Sequence, residues 1–324
     1  CYRLGGKQPT VTDANLLLGR IDPDYFLAGK MILDKDASFT AINAIADQLN
    51  LSVMDTAQGI LDIANAKMAD AIRQLTIQKG IDPREFMLVA FGGAGPMHAV
   101  FIAEELNITQ ILVPSAPGAF SAWGMLQSDI RQDAVRTFNA GLANVSHQEV
   151  KETYDEMQKE VDSILYKQNI KEEQIEYVKT ADLRYSGQEF TVNVAFDQNT
   201  VNQASIHTIK EKFHLRHDQI YGHSNPSGLV EIVNLRLAGI GKVKKVLKQH
   251  FDFSAKPLKE RSVNKATFYG KVYDTCVYDR NRLFYGHKFN GPAIVEELSA
   301  TTVIPPGYIA WVDSMESIVI EKES

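Results

Sequence analysis

Hydrophobic positions along this chain recur with two periods, and the switches between them mark its elements. Residues 1–36 are turn-rich, with Gly5-Gly6, Asp22-Pro23-Asp24 and Gly29. Two helical patterns follow. In the second, Ile60, Ala64, Ala71 and Leu75 lie on or near one face, behind a Ser52-x-x-Asp55 capping pattern and ahead of Gly80 as a stop signal. A strand at 86–91, a helix at 96–106, a strand at 110–113 and a helix near 120–128 alternate as in an α/β layer. The run 132–138 reads as a strand closing that layer.

A second region opens with Ser146-x-x-Glu149 and a long charged helix to about Gln168. Strand patterns follow at 177–185 and 189–196. In the latter, Phe190, Val192, Val194 and Phe196 alternate with Thr191, Asn193 and Ala195. A helix near 201–220 and a strand at 229–240 complete an α+β unit. From about 260 the chain is short strands separated by Gly, Pro, Asn and Asp, the pattern of a small β domain. The expected organisation is therefore an α/β region at 1–138, an α+β domain at 139–250 and a β domain at 251–324.

The most informative stretch is Met87 to His98. The apolar run Met87-Leu88-Val89-Ala90-Phe91 breaks into Gly92-Gly93-Ala94-Gly95-Pro96, and an apolar helical pattern follows at once. Glycine permits a tight turn and close approach to a ligand. Proline suits the start of a helix, whose free N–H groups and dipole favour an anion. The spacing matches neither the dinucleotide G-x-G-x-x-G nor the P-loop pattern. Taken by itself, the loop reads equally as a plain strand-to-helix turn.

Other motifs stand in order around it. Pro9-Thr10-Val11-Thr12-Asp13-Ala14-Asn15 precedes the loop. Val113-Pro114, Pro117-Gly118 and Ser121-Ala122-Trp123-Gly124-Met125 follow it. Asp182-Leu183-Arg184-Tyr185-Ser186-Gly187-Gln188, Val233-Asn234-Leu235-Arg236, Gly291-Pro292-Ala293-Ile294-Val295-Glu296-Glu297 and Pro305-Pro306-Gly307 come later. This ordered set resembles the hydantoinase A/5-oxoprolinase family, whose relatives include an acetone carboxylase subunit. The resemblance runs from Cys1 to about Ile320. It implies a fold in which residues 1–138 form the second half of an actin-like (ribonuclease H-like) ATPase core. It implies ATP and Mg²⁺, phosphorylation of a cyclic amide of hydantoin or 5-oxoproline type, and ring-opening hydrolysis of its carbon–nitrogen bond. A hydantoinase B-type partner subunit would complete the reaction. The family's N-terminal half, with its acidic, glycine-rich phosphate loops, is not in this sequence, so the chain reads as the C-terminal part of a larger subunit. A ketone carboxylase subunit and a non-catalytic interaction module are the alternatives.

The resemblance places Gly92, Gly93 and Gly95 against the adenosine side of ATP. Asp13 becomes a candidate catalytic or Mg²⁺-contacting residue, although an Asp beside Thr and Asn also suits a helix cap. His98, one turn into the loop-bearing helix, becomes a candidate contact to phosphate or substrate carbonyl. No metal ligands are assigned. His214-x-x-His217 with His223 lacks a cysteine or acidic third ligand at metal spacing, and Phe213, His217 and Tyr221 read as a packed helix stripe. Arg184 is expected to pair with Asp182 or Glu231 near a turn at Gly187, and Glu296, Glu297 and Cys276 read as structural. Cys1 invites an N-terminal nucleophile reading, against which the family motif continues through Cys1-Tyr2 as though cut from a longer loop.

Composition narrows these readings. At 324 residues the chain exceeds one ordinary core. A net charge of −6 argues against nucleic acid or an anionic membrane surface as the main partner. No apolar run reaches membrane-spanning length, no signal-peptide pattern is present, and two cysteines suit a reducing cytoplasm.

Overall fold

The computed structural model describes residues 1–77, 80–196, 201–245, 250–254 and 256–323. It is a mixed α/β structure of two compact units. One comprises Cys1–Met125 with Leu247–Ser324, the other Leu126–Val246.

The first unit begins with three helices, α1 (Val11–Leu17), α2 (Lys35–Leu49) and α3 (Val53–Leu75), followed by β1 (Leu88–Val89), α4 (Gly95–Leu106), β2 (Gln110–Val113) and α5 (Phe120–Gln127), which crosses the division between units. Local chemistry sets the helix ends. Thr10 caps α1, its hydroxyl accepting from the Asp13 N–H while the Asp13 carboxylate accepts from the Thr10 N–H. Ser52 caps α3. Asn50 and Asn107 end α2 and α4 in the left-handed region at φ 53° and 54°, a conformation asparagine tolerates better than most residues. α3 stops at Leu75, ahead of the expected stop at Gly80, with Thr76 as its C-cap.

The second unit comprises β3 (Ile130–Gly141), α6 (His147–Lys167), β4 (Ile175–Tyr185), β5 (Val192–Ala195), α7 (Gln203–Tyr221) and β6 (Val230–Gly241). Its sheet runs β3-β6-β4-β5, all antiparallel. Val150, Tyr154, Met157, Val161 and Leu165, at 3–4-residue spacing on α6, are fully buried against it. The run 132–138, expected to close the first layer, belongs here: Ala134 pairs with Leu237 in β6. An alternating strand declares which face is apolar but not which strand it pairs with. The expected hairpin turn has Gly187 at φ 89°. Arg184 pairs with Glu231 at 3.1 Å, while Asp182 is held by Asn193, Asn234 and Arg236.

The remaining strands are β7 (Ser262–Phe268), β8 (Lys271–Asp279), β9 (Lys288–Asn290), β10 (Ala293–Glu296), β11 (Thr301–Ile304), β12 (Tyr308–Val312) and β13 (Ile318–Lys322). They do not stand apart as a C-terminal domain. β13 returns to pair antiparallel with β2, giving the sheet β1-β2-β13-β12-β9, and β11-β10-β8-β7 form a second sheet in the same unit. Ile111, Val113, Ile318, Ile320, Ala310 and Val312 are all fully buried in one core. Alternate residues of β2, β12 and β13 thus bury one common face, which a separate domain would leave wet. The unit divisions fall at 125/126 and 246/247, against the expected 138/139 and 250/251.

One glycine ties the N-terminal helices to these strands. Gly19 follows α1 at φ +74°, and a β-carbon there would sit 2.3 Å from the Lys265 carbonyl oxygen of β7. Gly19→Ala is expected to lower unfolding free energy by roughly 3 kcal/mol, combining left-handed strain with a backbone clash. Denaturant melts of the two proteins measure it, and a loss under about 0.5 kcal/mol, the range of neutral surface changes, would contradict this packing.

Candidate functional site

The glycine loop sits where its sequence places it, between β1 and α4, and each glycine does something different. Gly92 alone has a left-handed backbone, φ 85°, and its N–H donates to Pro117 O at 2.8 Å. At Gly93 a β-carbon would come 3.0 Å from Ser299 O, so the loop after β10 lies directly on it. Gly95 is the first residue of α4, with no atom closer than 4.0 Å to an added β-carbon and no positive φ. No side chain caps α4, and Pro96 occupies its first turn. The packing of Ser299 against the loop creates a pocket.

That pocket has a volume of about 240 Å³ and lies wholly within the first unit. Three sequence-distant segments build it. Thr12 and Asn15 come from α1, Gly93, Ala94, Met97 and His98 from the loop and α4, and Glu296 to Thr301 from the turn between β10 and β11. Tyr2, Tyr25 and Phe26 add aromatic faces from the turn-rich N-terminal region, and no lysine or arginine is among the lining residues.

Electrostatics divide the polar groups. His98 is buried, with Nδ1 2.8 Å from Asn65 Oδ1. The amide oxygen favours the proton on Nδ1, leaving Nε2 as an acceptor. Burial, reinforced by Arg20, lowers its pKa to about 4, so the ring is neutral at pH 7. It offers a phosphate no positive charge. Glu296 pairs with Arg261 at 2.5 Å, and Arg261 in turn reaches Asp22 at 3.2 Å and stacks over the Tyr25 ring. Burial nonetheless outweighs Arg261 and raises the Glu296 pKa to about 7. Burial raises Glu297 likewise to about 7, against the attraction of Arg280. Both carboxyls therefore titrate near neutrality, a property that buried pocket residues share with functional acids and bases.

Asp13 lies outside the pocket lining. Its Oδ1 accepts from the Cys1 nitrogen at 2.9 Å and from Ser38 Oγ at 2.7 Å, and its Oδ2 from the Thr10 N–H and hydroxyl. Burial pushes its pKa up, but these hydrogen bonds prevail and hold it below the ordinary value. With both oxygens engaged twice, Asp13 fastens the N-terminal segment to α1 and α2. It is the third residue of a capping box whose N-cap is Thr10. Among the expected site residues, the structure thus brings Gly93 and His98 to one pocket, places Gly92 and Gly95 in the loop beside it and leaves Asp13 behind it. Sequence reasoning overlooked Asn15, Tyr25, Phe26 and the ligand-facing potential of Glu297. The Asn15 and Glu297 motifs were visible, but only the fold shows that they meet.

The histidines of α7 have other partners. His217 Nδ1 lies 2.7 Å from His223 O, and His214 Nδ1 lies 2.7 Å from the Tyr185 hydroxyl. Among the described residues, no group of three His, Cys, Asp or Glu side chains is arranged to hold a metal. Nor is any helix among them long and apolar enough to cross a membrane.

Two family models match the chain: hydantoinase/oxoprolinase over residues 1–134, and the hydantoinase/oxoprolinase C-terminal domain over residues 140–322. The chain belongs to the hydantoinase/oxoprolinase family. It is 31% identical to the caprolactamase subunit alpha of Pseudomonas jessenii over 97% of its own length and 46% of that protein. It is 32% identical to 5-oxoprolinase 1 of Arabidopsis thaliana over 100% of its length and 27% of that protein. The crystal structure of the ATP-dependent caprolactamase from Pseudomonas jessenii superimposes with a TM-score of 0.79 at 29% identity, over 99% of this chain and 48% of that one. The chain thus spans less than half the length of these relatives. The border between the two family models, at 134–140, falls inside β3, whereas the compact units divide before it.

The pocket makes a pH prediction. Between the ordinary glutamate value of 4.5 and about 7, folded Glu297 binds a proton that the unfolded chain does not, so this residue's contribution to stability falls as pH rises through that window. His98 acts oppositely: between 6.5 and about 4 the unfolded chain is protonated first, and stability falls as pH drops. Glu297→Gln removes only the first slope. The melting temperature of this variant minus that of the wild type is expected to rise between pH 5 and pH 8. A difference that stays flat would show that Glu297 does not titrate there.

Proposed function

We propose that this chain is the C-terminal part of an ATP-dependent subunit that activates a cyclic amide by phosphoryl transfer for ring-opening hydrolysis, with its pocket taking the adenosine end of the nucleotide. The observation that carries this reading is the make-up of the pocket around the glycine loop. Aromatic faces, a neutral histidine and buried carboxyls that hold protons near neutrality suit an uncharged planar base. A triphosphate needs cationic partners that these walls lack. The volume points the same way. At about 240 Å³ the pocket lies below the roughly 300 Å³ at which sites for drug-sized ligands begin, and so suits a fragment of the nucleotide.

In this reading the first unit is one half of an actin-like ATPase core. The phosphate loops and the acceptor site come from the part of the subunit that this chain does not span. Mg²⁺, held with the phosphates by the part of the subunit that this chain does not span, would offset their negative charge. Phosphorylating the amide oxygen turns a resistant carbon–nitrogen bond into one that water can open, and a hydantoinase B-type subunit would complete that step. The amide class is supported by relatives named caprolactamase and 5-oxoprolinase. The requirement for ATP is supported by the similar structure described as ATP-dependent.

Gly95 provides the test, because its surroundings leave room for a methyl group. In the full-length subunit, Gly95→Ala is expected to keep its melting temperature without nucleotide within a few degrees, while ATP affinity falls at least tenfold, about 1.4 kcal/mol. Calorimetric titration beside a thermal melt measures both. Unchanged affinity in a well-folded variant would move the nucleotide elsewhere. The 324-residue chain by itself is expected to hydrolyse neither ATP nor hydantoin or 5-oxoproline above background. Steady ATP turnover by it would contradict the half-core reading.

A further inference from the structure

Among the lining residues three buried oxygens have no hydrogen-bond partner, and Arg261 meets one of them, Glu296 Oε2, in an ion pair, which leaves two without a donor. Asn15 is 1% exposed, and its Nδ2 donates to Val11 O at 3.1 Å, which fixes the orientation of the amide and leaves Oδ1 without a hydrogen bond. Glu297 Oε1 is likewise buried and unpartnered. Both residues line the same pocket, on the α1 side and on the turn after β10. A buried acceptor without a donor is destabilising, and native structures seldom leave one unexplained. Two in one cavity call for a ligand that carries N–H groups.

The rest of the lining narrows the choice. Tyr2, Tyr25 and Phe26 offer ring faces, which favour a flat donor. The absence of lysine and arginine from the lining disfavours an anionic end, and a neutral N–H donor satisfies an acceptor whether or not Glu297 is protonated.

Building on the adenosine assignment above, we propose that Asn15 and Glu297 read the exocyclic amino group of the base, so that this pocket selects 6-aminopurine over 6-oxopurine nucleotides. The amino group supplies two N–H donors on one nitrogen, matching two acceptors. Once Glu297 is ionised, above about pH 7, a 6-oxopurine sets a carbonyl oxygen against both and leaves these acceptors unsatisfied. Sites built to receive a substrate N–H or O–H reject analogues that lack it far better than apolar pockets reject a missing methylene. Seating the base requires Glu297, which is only partly buried as a residue, to turn its free oxygen toward the amino group.

The test is calorimetric titration of the full-length subunit at about pH 8.5, where Glu297 is ionised, with ATP and with ITP, which differ in the 6-substituent and in the proton that the oxo form carries on N1. The wild type is expected to bind ATP at least tenfold more tightly. In Glu297→Leu and Asn15→Leu, and in Glu297→Gln, whose amide can donate to a 6-oxo group, the ratio is expected to fall below about threefold. Each ratio is taken on one preparation, so partial misfolding of the Asn15 variant does not alter it, and the Glu297 pair carries the test if that variant fails to fold. Equal affinity for ATP and ITP in the wild type, or an unchanged ratio in Glu297→Leu, overturns the proposal. If Gly95→Ala weakens ATP binding while ATP and ITP bind alike, the nucleotide pocket stands and only this assignment falls. If neither nucleotide binds, both fall.

Discussion

The pairing of β13 with β2 is the constraint on which the first unit depends. Four consecutive residue pairs, from Ile318↔Val113 to Glu321↔Gln110, join the last strand of the chain to one formed some two hundred residues earlier. The apolar partners bury completely at Ile111, Val113, Ile318 and Ile320. Because β12 and β9 are hydrogen-bonded outward from β13, the whole C-terminal region is brought into the core that also holds α4. The turn from Glu296 to Thr301 then comes to rest on Gly93. Without that return the glycine loop would be a turn facing solvent. With it, the loop becomes one wall of a cavity.

The cavity combines apolar enclosure with polar groups whose ionisation is set by burial. His98 stays neutral because charging it would place a cation among apolar neighbours close to Arg20. Glu296 and Glu297 keep protons to near pH 7 because the same enclosure disfavours their anions. These shifts run in opposite directions for an acid and a base, and both lower the charge of the pocket. A region with little net charge suits a neutral heterocycle, and it agrees with the lack of cationic residues in the lining. Asp13 shows the contrast. Although only 2% exposed, it is held below the ordinary carboxylate pKa because four hydrogen bonds reach it.

Much of this was legible in the residues. The caps at Ser52 and Ser146 and the helix beginning at the glycine loop appear where local rules place them, since each depends on neighbours within four residues, and of the run expected at 86–91 only Leu88–Val89 pair as a strand. Cap chemistry at Asp13 was legible in kind but shifted in role: Thr10 is the N-cap, and Asp13 answers it from three residues on. The 132–138 strand was legible as a strand and misassigned to its sheet. Alternation tells which side chains are buried and is silent on which backbone completes the ladder.

The sequence by itself determined the family, through motifs whose order is specific, and the secondary structure, through periodicities and caps that act over a few residues. Only the tertiary structure decided that the final strands belong with the first unit, that β3 belongs with the second, and that Asn15, His98 and Glu297 share a pocket. Those outcomes rest on contacts between residues tens to hundreds of positions apart. Such contacts are selected by which apolar faces can be buried together, and nothing in a local pattern records that choice.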